Sequence, residues 1–303
     1  MSIPVLPELL DRLLKEQYGP ARAEQIMAGM LHRRPVTLRI NPLRVSREDA
    51  LEQLCQAGAA QREVPWYSDA LVVENLREDT LQALPIYEAG GIYLQNLSAM
   101  LPPLLMQPRP GETILDMAAA PGGKTTQIAA LTGNQALITA CEKNGVRAQR
   151  LQFNLQRQGA TRVHVMQEDA RRLDDLFSFD RILLDAPCSG SGTVLLAEGE
   201  PQRRMTPDWL KKTVDTQRAL LQKALRLLKP GHEMVYATCS ILRMENEDVV
   251  RRALSRGDAE LLPVDPALAE QLPQLPTTLP GALCVCPDGV HEGFFVAHLR
   301  KKK

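Results

Sequence analysis

Five residues between positions 142 and 239 stand where strands would end, and their types could do chemistry together. Glu142 follows the apolar run ALITAC, and Asp169 follows VHVM. Asp185 closes RILL with Cys188 three residues on, and Cys239 follows MVYAT. An acidic residue after a strand can accept hydrogen bonds from a ribose diol. That suits Glu142, while Asp169 is placed to receive an exocyclic amine or a ribose hydroxyl. The two cysteines add thiols, which become nucleophiles as thiolates. Each residue alone is more often a solvated carboxylate or a packed thiol. Five at one edge of one sheet are hard to account for in that way.

The stretch ILDMAAAPGGKTTQ, Ile114 to Gln127, holds the chain's most pronounced turn. A short apolar run passes through Asp116 into small residues, Ala118, Ala119, Ala120, Pro121, Gly122 and Gly123, and restarts as a helix near Lys124. With no bulky side chain in the way, backbone N–H groups and a helix start can approach an electron-rich ligand. Neither phosphate signature fits. A Walker P-loop needs glycine where Ala118 stands, and Ala118 to Gly123 does not supply G-x-G-x-x-G. A ligand-free β–α turn is the alternative for this stretch taken alone.

Such residues need a β–α–β–α rhythm to place them, and the chain has one after Pro110-Gly111. Strands are expected at 113–115, 136–140, 162–165, 181–184 and 234–237, with helices near 123–131, 144–157, 208–228 and 244–255. The alternation predicts an α/β fold: a doubly wound, Rossmann-like, mostly parallel sheet with ligands at the carboxyl ends of its strands. The closing GALCVCPDGVHEGFFVAHLR reads as two strands around Pro-Asp-Gly, an antiparallel C-terminal hairpin at the sheet edge.

Upstream the pattern differs. Leu6, Leu9, Leu10, Leu13 and Leu14 form a helical stripe, broken at Gly19-Pro20 before a second amphipathic piece. Val36, Leu38 and Ile40 alternate as a strand, Asn41-Pro42 turns the chain, and Ser46 with Asp49 suits a capping box. Short strands and turns over 64–88 then close a small α+β N-terminal domain. IYLQNLSAMLPPLLM follows as a strand and a helix capped at Asn96 or Ser98. The expected division is 1–88, an RNA-binding unit, and 89–303, a catalytic one. Arg33, Arg34, Arg39, Arg44 and Arg47 cluster in the first unit, as a solvated basic face or an RNA-backbone contact.

Bulk composition narrows the class without naming a partner. Of 303 residues 44% are hydrophobic and 24% charged, with 36 Lys+Arg against 36 Asp+Glu, so any nucleic acid must be held by a local patch. No run is long enough to span a membrane and no basic-then-apolar leader is present, so a cytoplasmic location is expected. The six cysteines are too irregular for a disulfide framework. Cys284 and Cys286 share a strand face with no second pair to complete a zinc site, so core packing is expected and no metal.

DMAAAPGGKT, DAPCSGSG, YATCSI followed by ENE, and the terminal HEGFFVAHL together resemble the Nol/Nop/Sun family of RNA cytosine-C5 methyltransferases. The resemblance covers roughly residues 91–300 strongly. It extends to LRINPL, similar to the family's Arg-x-Asn segment, and YLQNLSAMLPP is similar to the branch with bacterial small-subunit rRNA methyltransferase F and archaeal tRNA methyltransferases. It implies a Rossmann-like methyltransferase sheet, S-adenosylmethionine as cofactor and RNA, ribosomal or transfer, as substrate. A monomer is expected.

By resemblance, Ala118 to Lys124 wraps the cofactor, Glu142 meets its ribose, Asp169 lies near the adenine, and Arg147 is a weaker contact. Asp185 faces the cytosine and the methyl donor, Cys239 is the nucleophile and Cys188 the helper in product release. Lys124 reaches either the cofactor or the target nucleotide. The letters alone leave the nucleophile open, since DNA cytosine methyltransferases attack through the Pro-Cys motif that Pro187-Cys188 matches. The chemistry explains the demand for thiols: C5 of cytosine attacks a sulfonium methyl only after a thiolate adds at C6, and the base must first be unstacked.

Three departures stand out. Arg203 and Arg204 arrive late after the Cys188 motif, Gly231-His232 stands where Gly-Gly is commoner, and the chain stops after the core, so no appended C-terminal RNA-binding domain is expected. The competing readings are a non-catalytic RNA-binding or ribosome-assembly factor that kept the fold, and a methyltransferase of protein or small molecules. An adenine-N6 enzyme would want Pro-Pro-aromatic where Ala186-Pro187-Cys188 stands.

Overall fold

A computed structural model of the chain describes residues 6–196 and 205–303; Arg203 and Arg204 lie outside the described residues. The leucine stripe and the Gly-Pro break produce helices α1 (Glu8–Tyr18) and α2 (Pro20–Leu31), which meet at Gly19, whose φ of 79° a non-glycine residue rarely adopts. Leu6, Leu10 and Leu14 are buried in one core with Leu184, Tyr236 and Phe295. Burying a leucine stabilises by about 2 kcal/mol, so this stripe fixes α1 to the large sheet rather than to the small one. Gln17 and Tyr18 then donate to the Ile241 carbonyl at 3.1 and 2.7 Å.

The small sheet is antiparallel and ordered β2-β3-β1-β4, from β1 (Val36–Ile40), β2 (Gln61–Glu63), β3 (Ala70–Val73) and β4 (Ile92–Leu94). Its last strand comes from beyond residue 88. Helix α3 (Arg47–Gln56) packs on it, with the short helices α4 (Glu78–Gln82) and α5 (Pro85–Glu88) contributing Leu81 and Ile86 to the same core. Ser46 caps α3, accepting the Asp49 N–H at 3.1 Å, but its hydroxyl also donates to the Asp49 carboxylate at 2.7 Å. That side-chain contact stands where a capping box would have the carboxylate reach back to the backbone.

The arginine cluster corrects the expectation of one shared basic surface. Arg39 is fully buried, Arg34 donates to the carbonyls of Asp288 and His291, Arg44 donates to Gln156, and Arg47 is tied to the Ser68 carbonyl and to Glu63. β1 is an inner strand covered on both faces, so its alternate residues are buried alike.

Next come α6 (Leu97–Met106), β5 (Thr113–Asp116), α7 (Gly123–Leu131), β6 (Leu137–Cys141), α8 (Gly145–Gln158), β7 (Val163–Met166), β8 (Phe179–Asp185) and α9 (Pro207–Leu227). The rest is β9 (Leu228–Thr238), α10 (Glu247–Leu254), β10 (Ala259–Leu262), β11 (Gln274–Leu275), β12 (Leu283–Val285) and β13 (Phe294–Lys301). Asn96 caps α6, accepting from Ser98 N at 2.9 Å. The large sheet runs β11-β12-β13-β9-β8-β5-β6-β7, with β10 also pairing β13. It is parallel from β9 to β7, and β11, β12, β13 and β10 are antiparallel. The chain moves outward from β5 to β7, then returns to β8 on the other side of β5. That reversal is the switch point at which such sheets bind ligands.

One expectation about the strands shifts. β9 begins at Leu228, six residues early, because a register shift between Phe179 and Arg181 accommodates the segment containing Gly231 (φ 79°) and His232. Cys284, in β12, and Cys286, just after it, are both buried in the large core, as expected.

At the strand starts, away from the site, Arg181 lies 3.2 Å from Glu112 and 2.6 Å from Glu233, which also meets Arg300 at 2.8 Å. Burial works against ionisation of Glu233, but Arg300 and Arg181 outweigh it and hold the carboxyl at about 2. Asp180 is likewise at about 2, burial being outweighed by Lys229 and Thr113. Depressed carboxylates stabilise the fold above their unfolded values and lose that contribution as pH falls through the folded ones. The urea midpoint is therefore expected to drop between about pH 4 and pH 2, and Glu233→Gln should flatten the drop. An equally steep profile in that variant would exclude Glu233 as its source.

Candidate active site

The carboxyl ends of β5, β6, β8 and β9 align by register: Asp116 pairs with Ala140 and Leu183, and Asp185 pairs with Ala237. The β5–α7 turn is built on Asp116, which is buried and accepts from Thr125 Oγ1 at 2.7 Å. Burial pushes its carboxyl up to about 6. The Ala119 N–H bonds to the Cys141 carbonyl at 2.9 Å, and Gly122 takes φ 112° to start α7. A Cβ at Gly122 would lie 3.0 Å from Leu151, and one at Gly123 3.0 Å from the Tyr93 ring. The turn's outward carbonyls are occupied, Ala120 by Arg147 at 2.8 Å and Pro121 by Asn154 at 2.8 Å.

Glu142 is buried beside this turn. Its Oε1 accepts from Asn144 N at 2.8 Å and its Oε2 lies 3.3 Å from Arg147. Arg147 thus bridges the turn and Glu142. Asp169 stands apart as the cap of a short 3₁₀ turn, held by Nε and Nη2 along one edge of the Arg171 guanidinium, whose hydrogen bonds keep its carboxyl at about 2. Burial first, then the charges of Asp116, Glu168 and Asp169, push the Cys141 thiol up to about 12.

The other four residues converge. Lys124 Nζ lies 2.7 Å from Asp185 Oδ2 and 5.4 Å from the centre of the Phe294 ring. Burial alone would lower the Lys124 ammonium; Asp185, with help from Cys239 and Asp116, holds it above its ordinary value. Cys188 Sγ and Cys239 Sγ are 3.1 Å apart and both are free thiols. The contact with Cys239, together with burial, holds the Cys188 thiol well above its ordinary value; either sulfur can be the donor in that contact.

Three residues that position this site had no role assigned from the sequence. Glu245 is fully buried and its carboxylate accepts from Ser189 N at 2.8 Å, Ser189 Oγ and Ser240 Oγ at 2.5 Å each, and Gln217 Nε2 at 3.2 Å. It clamps the residue after each cysteine. Gly192 completes the clamp: its N–H bonds to the Cys239 carbonyl at 3.0 Å, and a Cβ there would sit 2.1 Å from the Gly293 carbonyl. Arg39 crosses from β1 to donate to Thr126 Oγ1 at 3.1 Å and the Gly123 carbonyl at 3.5 Å, behind the β5–α7 turn. The ENE and LRINPL letters marked Glu245 and Arg39, but nothing local to them named their partners.

Comparison with known proteins gives this constellation a family. A match to the family described as 16S rRNA methyltransferase RsmB/F covers residues 103–300. The chain belongs to this family. A further match, to the ferredoxin-like domain of RsmF/B-like methyltransferases, covers residues 6–78. The chain is 38% identical over 281 residues to the ribosomal RNA small subunit methyltransferase F of Shewanella amazonensis, covering 88% of this chain and 58% of that protein. It is 33% identical over 300 residues to the probable ribosomal RNA small subunit methyltransferase B of Synechocystis sp., covering 97% and 66%. It therefore spans about 58% and 66% of these curated relatives' lengths. Among solved structures, a methyltransferase homologue from Pyrococcus horikoshii is 33% identical with a TM-score of 0.79, covering 98% of this chain and 100% of that one. NSun6 from Pyrococcus horikoshii, solved with SFG, is 25% identical with a TM-score of 0.88, covering 100% of both chains. As an RsmB/F family member the chain has the expected Rossmann-like methyltransferase sheet and small N-terminal unit. Among the described residues no helix is long and apolar enough to cross a membrane, and no group of His, Cys, Asp and Glu could hold a metal ion.

Proposed function

We propose that this chain is an S-adenosylmethionine-dependent RNA cytosine-C5 methyltransferase, acting on ribosomal RNA first and transfer RNA second. The observation that carries this is the Cys188–Cys239 contact of 3.1 Å beside the Lys124–Asp185 pair at 2.7 Å, at the carboxyl ends of β8 and β9. The names of the curated relatives support the rRNA choice. Residues 1–88 serve as the RNA-binding unit and 89–303 as the catalytic one, with β4 and the docking of α1 and α2 bridging that division. A monomer and a cytoplasmic place belong to the same reading.

The β5–α7 turn fits the cofactor because its small residues leave room and two of its carbonyls are turned onto Arg147 and Asn154. Ala118, Ala119, Ala120, Pro121, Gly122, Gly123 and Lys124 would hold it together with Glu142 and Asp185, Asp169 lying toward the adenine. Arg147 acts on the turn and on Glu142. When bound, S-adenosylmethionine supplies an electrophilic methyl group.

The Cys239 thiolate adds to C6 of the unstacked cytosine, forming a sulfur–carbon bond and pushing electrons through the ring to C5. Asp185 and Lys124 supply the paired charges beside the ring as N3 takes on negative character. After C5 has gained the methyl, its proton passes to a water, the sulfur–C6 bond breaks, and the ring is restored. A Cys188 S–H beside the leaving sulfur eases that departure.

The test is methyl transfer from labelled donor to total RNA of cells lacking the gene, read by bisulfite sequencing. One newly protected cytosine is expected, with the label lost on nuclease treatment. Cofactor binding without transfer to any RNA would favour the assembly-factor reading instead.

A further inference from the structure

We propose that the outer stripe of α8, with Tyr87 beside it, is a stacking platform for the single-stranded RNA next to the target cytosine. The proposal rests on the RNA methyltransferase reading above. The inner face of α8 is ordinary core, with Ala148, Leu151 and Leu155 buried. The outer face repeats Val146, Arg150, Phe153 and Arg157 at i, i+4, i+7 and i+11, which places them in one row. Val146 is 74% exposed and Phe153 62%. Single exposed apolar residues need no explanation; what marks this row is its order.

The Arg157 guanidinium carbon lies 4.1 Å from the centre of the Tyr87 ring and 5.7 Å from that of Phe153, so the cation sits against both rings. Its Nε is buried without a hydrogen-bond partner. A cation held between two aromatic rings keeps Phe153 in place with much of its surface open to solvent. Arg150 is exposed in the same row. Rings offering π-faces beside guanidinium groups are what unstacked bases and their phosphates require, and they tolerate sequence because every base has a π-face.

The platform also borders a cleft that reaches the β5–α7 turn. An open cleft of about 1470 Å³ extends between the small unit and α8, lined by Tyr87, Phe153 and Arg157 and continuing to Pro121 and Glu292. Pro121 belongs to the β5–α7 turn, and the Glu292 carboxylate feels Lys124. The small unit's side mixes Arg33, Arg34 and Arg77 with Glu74, Glu78 and Asp79, whereas α8 contributes Arg150 and Arg157 and no acid, so phosphates are assigned to the α8 side. A protein partner fits less well, because alternating arginines and isolated rings leave no apolar centre for it to bury.

The experiment compares Phe153→Ala and Arg150→Gln with the wild type. Both residues are exposed, so thermal midpoints should be unchanged. The probe is a fluorescein-labelled, unstructured, cytidine-containing RNA of about 12 nucleotides, with its duplex form as control. Phe153→Ala should weaken single-strand binding and raise KM about tenfold, with kcat and cofactor affinity unchanged. Arg150→Gln should lower the salt dependence of binding. Wild-type affinity and KM in Phe153→Ala, while the wild type methylates RNA normally, would overturn the platform. So would loss of a captured protein partner without any loss of RNA affinity. A wild type that modifies no RNA is a different failure, that of the RNA reading itself.

Discussion

Changing Cys239 to alanine should reduce methyl transfer by at least about 10³-fold while cofactor affinity stays within about twofold. The size follows from chemistry: without the sulfur–C6 bond, C5 of cytosine has no enamine-like electron density with which to attack a methyl. Cofactor affinity is spared because the β5–α7 turn and Glu142 have their own supports in Asp116, Arg147 and Asn154. Cys188→Ala should behave differently. It removes the S–H donor beside the leaving sulfur, so a protein–RNA adduct should accumulate and be visible as a retarded band under denaturing conditions. Labelled-methyl incorporation and adduct yield measured on both variants decide the assignment. Adduct in Cys239→Ala and none in Cys188→Ala would exchange the two roles, and full activity in Cys239→Ala would remove the covalent route.

The second large effect is expected at Glu245. Glu245→Ala should cost about 3–5 kcal/mol of folding stability, because it strips a buried carboxylate from hydroxyl, amide and backbone donors that have no water to turn to. Glu245→Gln keeps the volume and should cost only about 1–2 kcal/mol, since the serine hydroxyls can rotate to meet the new amide. Urea midpoints measure both. The Gln variant also isolates the positioning role. Glu245 is fully buried and cannot touch RNA, so KM should hold while kcat falls as the loops bearing Cys188 and Cys239 loosen. Its charge also helps hold the Cys188 proton in place. A Gln variant with unchanged kcat and a changed KM would refute this role.

How far the letters went depended on the distance over which a residue's partner lies. Asp116, Glu142, Asp185 and Cys239 each close an apolar run, and a parallel sheet gathers strand ends without further instruction, so their meeting was legible. Asp169 follows the same rule, yet it is engaged by Arg171, two residues along, which a strand-end argument does not consider. Glu245 was legible only as a letter in a motif. Its partner Ser189 is 56 residues away, and only the packed fold shows that one carboxylate holds both cysteine loops. Arg39 misled for a related reason. A run of arginines reads as a surface when the strand carrying it is taken alone, but β4 and α7 cover that strand, and the guanidinium finds Thr126 instead. The first helices looked like part of the small unit because they precede it, whereas their leucines match the apolar face of the large sheet.

Asn41, just past the end of β1 and two residues from Arg39, donates to the carbonyl of Gly90 at 2.9 Å and to that of Gln158 at 2.8 Å, both buried. With Arg39 on Gly123 and Thr126, it rivets the small sheet to the helices that flank the cofactor turn. A hinge at this seam would have to strip several buried donors of their acceptors at once, so the seam is expected to stay closed. On the proposed RNA reading, adaptation then falls on the RNA, which arrives already unpaired or is pulled open at the site. Association should then be paced by the melting of the RNA segment, and a target exposed only at one stage of a particle's maturation would be recognised by when it is accessible as much as by its sequence.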